Sequence, residues 1–236
     1  MVNLKLIVIE GTDGCGKQTQ SDLLEKNLQH LGLNVKRQSF PNYESKSSAP
    51  VVMYLSGELC DNASGLDAYQ SSSLFAVDRL CTFAKLKQQL DSVSGDLFLI
   101  CDRFVESNLI HQASKLEDNK KDEFAKWLLT FEYETLKLPK PDLIIFLNMP
   151  VDVSFNLAKG RKGYKSGEKV DIHEKDLNFM SNSYKTGLYF ADKFDWNVVD
   201  CVKSGKVKEI GEIEKEIFQL VLDKFKLNDG LKNGKN

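Results

Sequence analysis

The stretch GTDGCGKQT, Gly11 to Thr19, carries the residue types that hold a chain of phosphates. Glycines at 11, 14 and 16 let successive backbone N–H groups turn toward one anion, and Lys17 adds a point charge where a transferring phosphate would lie. An apolar run precedes the stretch and a helical pattern follows it, so a helix dipole would add to the pull on the anion. The whole segment is a candidate phosphate site: Gly11, Thr12, Asp13, Gly14, Cys15, Gly16, Lys17, Gln18 and Thr19. It fits G-x-x-x-x-G-K-[ST] up to the last position. Gln18 stands there in place of the hydroxyl residue that usually reaches magnesium, and Thr19 is one position late. A side-chain amide is a poor substitute for that small ligand, so a carboxylate is expected to serve the metal.

Three other stretches carry chemistry. KGRKGYKSGEK (159–169) interleaves Lys159, Arg161, Lys162, Lys165 and Lys169 with three glycines, the composition of a mobile cationic cover and equally of a solvated loop. CDRFVESNLIHQ (101–112) follows a buried run and places Asp102 and Arg103 at a strand's carboxyl end, where open α/β sheets bind ligands. Arginine there suits bidentate phosphate recognition; the plainer reading is a surface ion pair. In SLFAVDR (73–79), Phe75 and Arg79 are four residues apart, so ring and guanidinium can reach one ligand, or serve as core phenylalanine and exposed arginine. NKKD (119–122) matches the guanine-reading N-K-x-D pattern but follows ASKLED rather than an apolar strand, and Asn119 is expected to cap a helix instead.

These residues need a scaffold. Apolar runs at 4–10, 97–101, 142–148 and 196–201 read as buried parallel strands, and the more polar 34–40 as a strand nearer an edge. Helical patterns at 17–31, 66–91, 120–136, 151–159, 174–192 and 208–226 alternate with them. That order predicts an α/β fold with right-handed crossovers and helices on both faces of a mostly parallel five-stranded sheet, a three-layer sandwich of the phosphate-loop NTPase type. Leu23, Leu24, Leu28 and Leu31 form the stripe that would pack the first helix on that sheet. With 236 residues, 42% of them hydrophobic, the chain can bury one sizeable core; one domain is expected over 1–228, with a frayed polar tail at 229–236.

Composition narrows the partners. The 32 basic and 34 acidic residues leave a net charge of -2, so no global field favours nucleic acid or an anionic membrane. Five widely spaced cysteines without C-x-x-C argue against a disulfide framework or a zinc site, and a reducing cytoplasm is expected. The opening MVNLKLIVIEG has too short an apolar run for a signal peptide or a membrane span.

In order along the chain, EGTDGCGKQTQ, FPNYES (40–45), SLFAVDR, DRFVESNLIHQA (102–113), LPKPDLIIFL (138–147) and DIHEKD (171–176) resemble the motifs of the thymidylate kinase family, from about residue 5 to 200. The resemblance implies transfer of the ATP γ-phosphate to dTMP, a Mg²⁺ requirement, homodimerisation and ATP bound at Gly11–Thr19. It implies that Phe75 stacks on thymine, that Arg79 and Asn108 bond the base edge with Gln112 as a further contact, and that Arg103 holds the dTMP phosphate. Phe40 and Tyr43 would shape the pocket floor. Gly14 after Asp13 leaves the loop without an arginine, which resembles the bacterial-type arrangement in which a lid at about 159–170 supplies the catalytic cation. Arg161 is the candidate, with Lys162 or Lys165 as substitutes. Asn42 replaces a residue that is often basic in relatives, and His111 and His173 stand where tyrosine is frequent, which bears on discrimination against ribose. Both histidines read equally as surface residues.

Direct in-line transfer is expected, because no pair of nucleophile and base is evident. In relatives lacking the loop hydroxyl, the positions of Asp13 and Glu174 resemble magnesium ligands; by themselves they read as a turn residue and a helix N-terminal acid. Another nucleoside monophosphate kinase and a nucleotide-dependent switch are the alternative functions. Segment 47–92 is the candidate dimer face, with Val51, Val52, Leu55, Leu74 and Val77 available to pack.

Overall fold

Side chains alternate in direction along β1 (Val2–Glu10): Leu6 and Val8 enter one core, Ile7 and Ile9 the other. The same division runs through β3 (Gly95–Asp102), where Leu99 and Cys101 join the first core and Phe98 and Ile100 the second. In β4 (Leu143–Asn148), Phe146 faces the first core and Ile145 and Leu147 the second. Burial on both faces is why these runs lack a polar alternation. In the computed structural model, which describes residues 2–90, 95–159 and 177–227, the strand order is β2–β3–β1–β4–β5, with β2 (Val35–Ser39) and β5 (Asn197–Asp200) at the edges. Every neighbouring pair is parallel, so the expected "mostly parallel" sheet is wholly so among the described residues. A separate hairpin of β6 (Val202–Lys203) and β7 (Lys206–Val207) is antiparallel.

Helices cover both faces. Leu24 and Leu28 of α1 (Lys17–His30) meet Ile213, Ile217 and Val221 of α8 (Ile210–Phe225) in the second core. Fully burying each such side chain stabilises the fold by about 1.5–3 kcal/mol. The first core takes Ala68 from α3 (Ala68–Leu90), Leu109 and Ile110 from α4 (Glu106–His111), Phe124 and Leu128 from α5 (Asp118–Leu129) and Phe190 from α7 (Leu177–Lys193). The described residues also form two short α-helices, α2 (Ala49–Leu55) and α6 (Val151–Lys159).

Several sequence expectations need correction. The helix expected over 120–136 ends at Leu129 and continues as a π-helical turn, Thr130–Thr135. Glu117, with extended backbone, precedes its first turn, so Asn119 is inside the helix and is not its cap. The NKKD residues fasten α5 to α7: Lys121 Nζ donates to Thr186 Oγ1 at 3.0 Å, and Asp122 accepts from Tyr189 and Lys193, each at 2.6 Å. A guanine-reading role is thereby disfavoured. Helix α4 escaped detection because all six of its residues are buried, which erases the amphipathic period. Val51 and Leu55, offered for the dimer face, are buried within the chain; Val52 and Val77 are exposed, as is Leu80. The basic segment with Arg161, Lys162 and Lys165, together with His173 and Glu174, lies outside the described residues, as does the 229–236 tail.

The chain leaves β1 toward β2 through α1, and leaves β3 toward β4 through α4 and α5, in the opposite direction along the sheet. Adjacent strands with diverging connections open a crevice at their carboxyl ends, the place where such sheets bind ligands. Gly11 follows one of these strands and Arg103 the other.

Candidate active site

The loop after β1 bends where only glycine serves. Gly11 has φ 148°, and a Cβ there would sit 2.6 Å from Cys15 Sγ and 3.0 Å from the Leu147 carbonyl oxygen. Gly16, at φ 95°, caps α1, and a Cβ there would meet nothing within 4 Å. The open side of the loop is a cleft of about 450 Å³ lined by Asp13, Gly14, Gly16, Lys17, Gln18, Thr19, Asp102 and Arg103. Lys17 is held there, almost fully buried, with Nζ donating to the Thr12 carbonyl at 2.8 Å. Thr12 and Cys15 are buried, and burial raises the Cys15 thiol pKa. Their side chains thus support the loop, while Gln18 and Thr19 are exposed on its rim.

Arg103 stands at the centre. Its φ of 68° turns the chain sharply at the end of β3, and its N–H donates to the Ile9 carbonyl at 3.1 Å. The guanidinium pairs with Asp13 and donates from Nη1 to the Gly11 carbonyl at 3.4 Å and to His111 Nε2 at 3.0 Å. His111 is therefore a buried neighbour of Arg103, stacked on Phe179, and the surface reading fails. Burial alone would lower the pKa of Arg103, but Asp13, Glu10 and Asp102 outweigh it and hold the pKa above its ordinary value.

A second cleft, about 170 Å³, opens on the other side of this pair, and every expected substrate residue lines it: Phe40, Tyr43, Phe75, Arg79, Arg103, Asn108 and Gln112. Asp13, Ser107 and His111 line it as well. Phe40 is buried against Phe83 and Phe104 and belongs to the floor, whereas Tyr43 is mostly exposed and belongs to the rim. Phe75 is neither core nor surface; its ring sits edge-on to Tyr54 with the opening beside it. Asn42 turns away, donating from Nδ2 to Thr82 Oγ1 at 3.2 Å while its backbone N–H is held by Asp78 at 2.7 Å.

Beneath the cleft lies a polar layer that pattern reading missed. Arg79 is not exposed: Nε and Nη2 each donate at 2.6 Å to the two oxygens of Glu132, and Nη1 donates to the Phe104 carbonyl at 3.2 Å. Three of its five N–H groups are thereby committed, which fixes the guanidinium plane. Asn108 Nδ2 donates to the Ser72 carbonyl at 3.4 Å, and Gln112 Oε1 accepts from Ser71 Oγ at 2.8 Å. Lys115 reaches into the same network, donating to Ser71 Oγ and Tyr54 OH, each at 2.9 Å. Glu10 accepts from the Phe104 N–H at 2.8 Å and from Ser107 Oγ at 2.7 Å, tying β1 to the start of α4.

Glu106, on the far side of α4, accepts from the Tyr133 hydroxyl. Burial pushes its pKa up to about 8, and the charges of Glu10 and Glu132 add to the rise. An acid whose pKa is higher folded than unfolded stabilises most at low pH, and that contribution is lost as pH climbs through the folded value. Unfolding free energy is expected to fall between pH 5 and about 8, and Glu106→Gln to flatten that slope in denaturant titrations at several pH values.

Two clefts, one lined with phosphate-loop atoms and one with aromatic and amide groups, meet at Arg103 on the end of β3 and define an α/β protein of the phosphate-loop class. Residues 9–210 match the family described as thymidylate kinase, and the chain belongs to that family. It is 32% identical to a thymidylate kinase of Mycobacterium tuberculosis over 191 residues, covering 79% of this chain and 84% of the relative. Identity is 28% with the thymidylate kinase of Plasmodium falciparum, covering 95% and 94% of the two chains. With that of Danio rerio it is 25%, covering 91% and 88%.

Proposed function

We propose that the chain transfers the γ-phosphate of ATP to dTMP, giving dTDP and ADP. The observation that carries this reading is that the two clefts share Asp13 and Arg103. A phosphate on Arg103 is then adjacent to phosphates on Lys17 and the loop amides, the end-to-end arrangement that in-line transfer needs. Phe75 offers a ring for stacking, and the fixed Arg79, Asn108 and Gln112 offer polar groups for a pyrimidine edge. These residues are proposed to bind the acceptor and place the charge, and Arg161 is proposed as the cation that closes over the transferring group. One domain over 1–228 would do this work.

Mg²⁺ fits the phosphate cleft, because Asp13 and Asp102 both line it beside Lys17 and magnesium is commonly held by one or two carboxylates together with substrate phosphates. Bound there, it would neutralise charge developing on the phosphate oxygens. Asp13 is proposed as ligand and as partner of Arg103; Glu174 is proposed as a further ligand, and Asp102 extends the set to a residue at the adjacent strand end. Asp13→Asn is expected to lower turnover by about 10²-fold or more, since it weakens both roles, whereas Gln18→Ser on the exposed rim should change it less than about threefold. Initial rates across a magnesium titration check both values.

No helix among the described residues is long and apolar enough to cross a membrane. We propose a cytoplasmic homodimer packed through the exposed Val52, Val77 and Leu80, which the solution mass tests. Incubation with ATP, Mg²⁺ and separate nucleoside monophosphates decides the function. Formation of dTDP at the highest kcat/KM is expected; preferred turnover of dCMP, dGMP or AMP would overturn the assignment.

A further inference from the structure

Lys115, just beyond α4, lines neither cleft, yet it holds groups that stand in the wall of one. Val51, Tyr54 and Leu55 of α2 form a third, small cluster with Cys60, Leu66, Leu74 and Phe75, apart from the two cores on the sheet. Leu55 and Phe75 of that cluster line the substrate cleft, so its placement decides where the ring stands. Lys115 ties it down. Its Nζ donates to Tyr54 OH of α2 at 2.9 Å, to the Leu66 carbonyl of the following loop at 3.0 Å and to Ser71 Oγ of α3 at 2.9 Å. Three donors are all that an ammonium has, and each goes to a different element. Tyr54, fully buried, donates its own hydroxyl hydrogen to the Ala63 carbonyl at 2.7 Å and meets Phe75 edge-on, centroids 6.3 Å apart. Ser71 Oγ lies 2.8 Å from Gln112 Oε1, on the other side of the pocket.

We propose that Lys115 is a positioning residue for the acceptor base, fixing the Phe75 ring through Tyr54 and the Gln112 amide through Ser71. The inference rests on reading this cleft as the dTMP site. All three acceptors of the ammonium are neutral oxygens. Asp67 and Cys60, on the loop between α2 and α3, add negative potential there, but Asp67 Oδ1 is bonded to the Gln70 N–H at 2.7 Å. Helix α3 presents the Ser71 hydroxyl, and α7 presents Ser183 Oγ, 3.2 Å from the neighbouring Ser114 Oγ. Burial outweighs Asp67 and Cys60 and brings the Lys115 pKa down to about 8. Above that pH the group has two donors for three acceptors and its lone pair faces the third, so the grip on the pocket wall loosens. Binding of dTMP is thus linked to the protonated form, and its affinity falls as pH climbs through 8.

Equilibrium binding of dTMP, measured by calorimetry on the whole chain without ATP, tests this. The Kd of the native protein is expected to rise about threefold or more from pH 7 to 9. Lys115→Arg, whose guanidinium stays charged throughout, should show a flat profile, and Lys115→Met should bind about 5–10-fold more weakly at pH 7 and also be flat. In both variants kcat at saturating dTMP should stay within about threefold, because Lys17 and Arg103 are untouched. Glu106→Gln should keep the native slope, since that acid titrates in the same range on the other face of α4. A flat native profile, the native slope in K115R, loss of the slope in E106Q, or native affinity in K115M would overturn the proposal. A tie serving the fold alone would lower the melting temperature of K115M and leave its Kd unmoved. If K115M fails to fold, the native and K115R profiles still decide. Failure of the native protein to bind dTMP at all would instead sink the function proposed above, and this inference with it.

Discussion

Lys17→Ala is expected to lower kcat/KM for phosphoryl transfer by about 10²–10³-fold or more, the effect of deleting one preorganised charge from a site that works chiefly by electrostatics. The ammonium is anchored on the Thr12 carbonyl, inside the loop whose remaining donors are backbone N–H groups. It is therefore already oriented before any phosphate arrives. Fold stability should change little, by about 1 kcal/mol, because the bonds lost are one to the Thr12 carbonyl and a long one, 3.8 Å, to Cys15 Sγ. Steady-state kinetics and a thermal melt on the same preparation separate the two effects. Residual activity within tenfold of the native protein would mean that another cation, such as Arg103 in the same cleft, carries the charge.

Glu132→Ala should act in the opposite manner, on stability first. It strands the Arg79 guanidinium, 1% exposed, without its counter-ion, and breaking a buried pair from one side destabilises by about 3–5 kcal/mol. For a chain of this size that is roughly 10 °C in melting temperature. KM for dTMP should rise as well, since Arg79 loses the two bonds that hold its plane in the cleft. Replacing the pair by apolar residues, Arg79→Met with Glu132→Leu, is expected to restore most of the melting temperature and none of the dTMP affinity. If the double variant recovered both, Arg79 would be a packing element and the base-edge role would be lost.

Much of this was legible in the chain because it rests on local rules. Strand runs at 97–101 and 142–148 are continuous apolar stretches, and the 34–40 segment showed its edge position by its polarity. The residues expected at the substrate site came together in one cleft because each lies beside a strand end or on a helix facing it. What escaped depended on tertiary burial. Glu10, Glu106 and Glu132 have the identities of ordinary surface acids, and no spacing announces that all three lie inside around the base of α4. Arg79 looked like an exposed arginine for the same reason, since its partner is 53 positions away. Asn119 had the composition of a cap, but the cap is Glu117, two residues earlier.

The π turn at Thr130–Thr135 bears on how this protein can change over generations. Successive residues in it serve different sites, Glu132 holding Arg79 and Tyr133 holding Glu106. A wide turn of this kind amounts to one residue inserted in an α-helix, and losing it rotates everything beyond by about 100°. A single in-frame codon deletion there, harmless in most exposed helices, would withdraw both side chains from their posts at once. The segment is thus expected to be less tolerant of a change in length than of substitution.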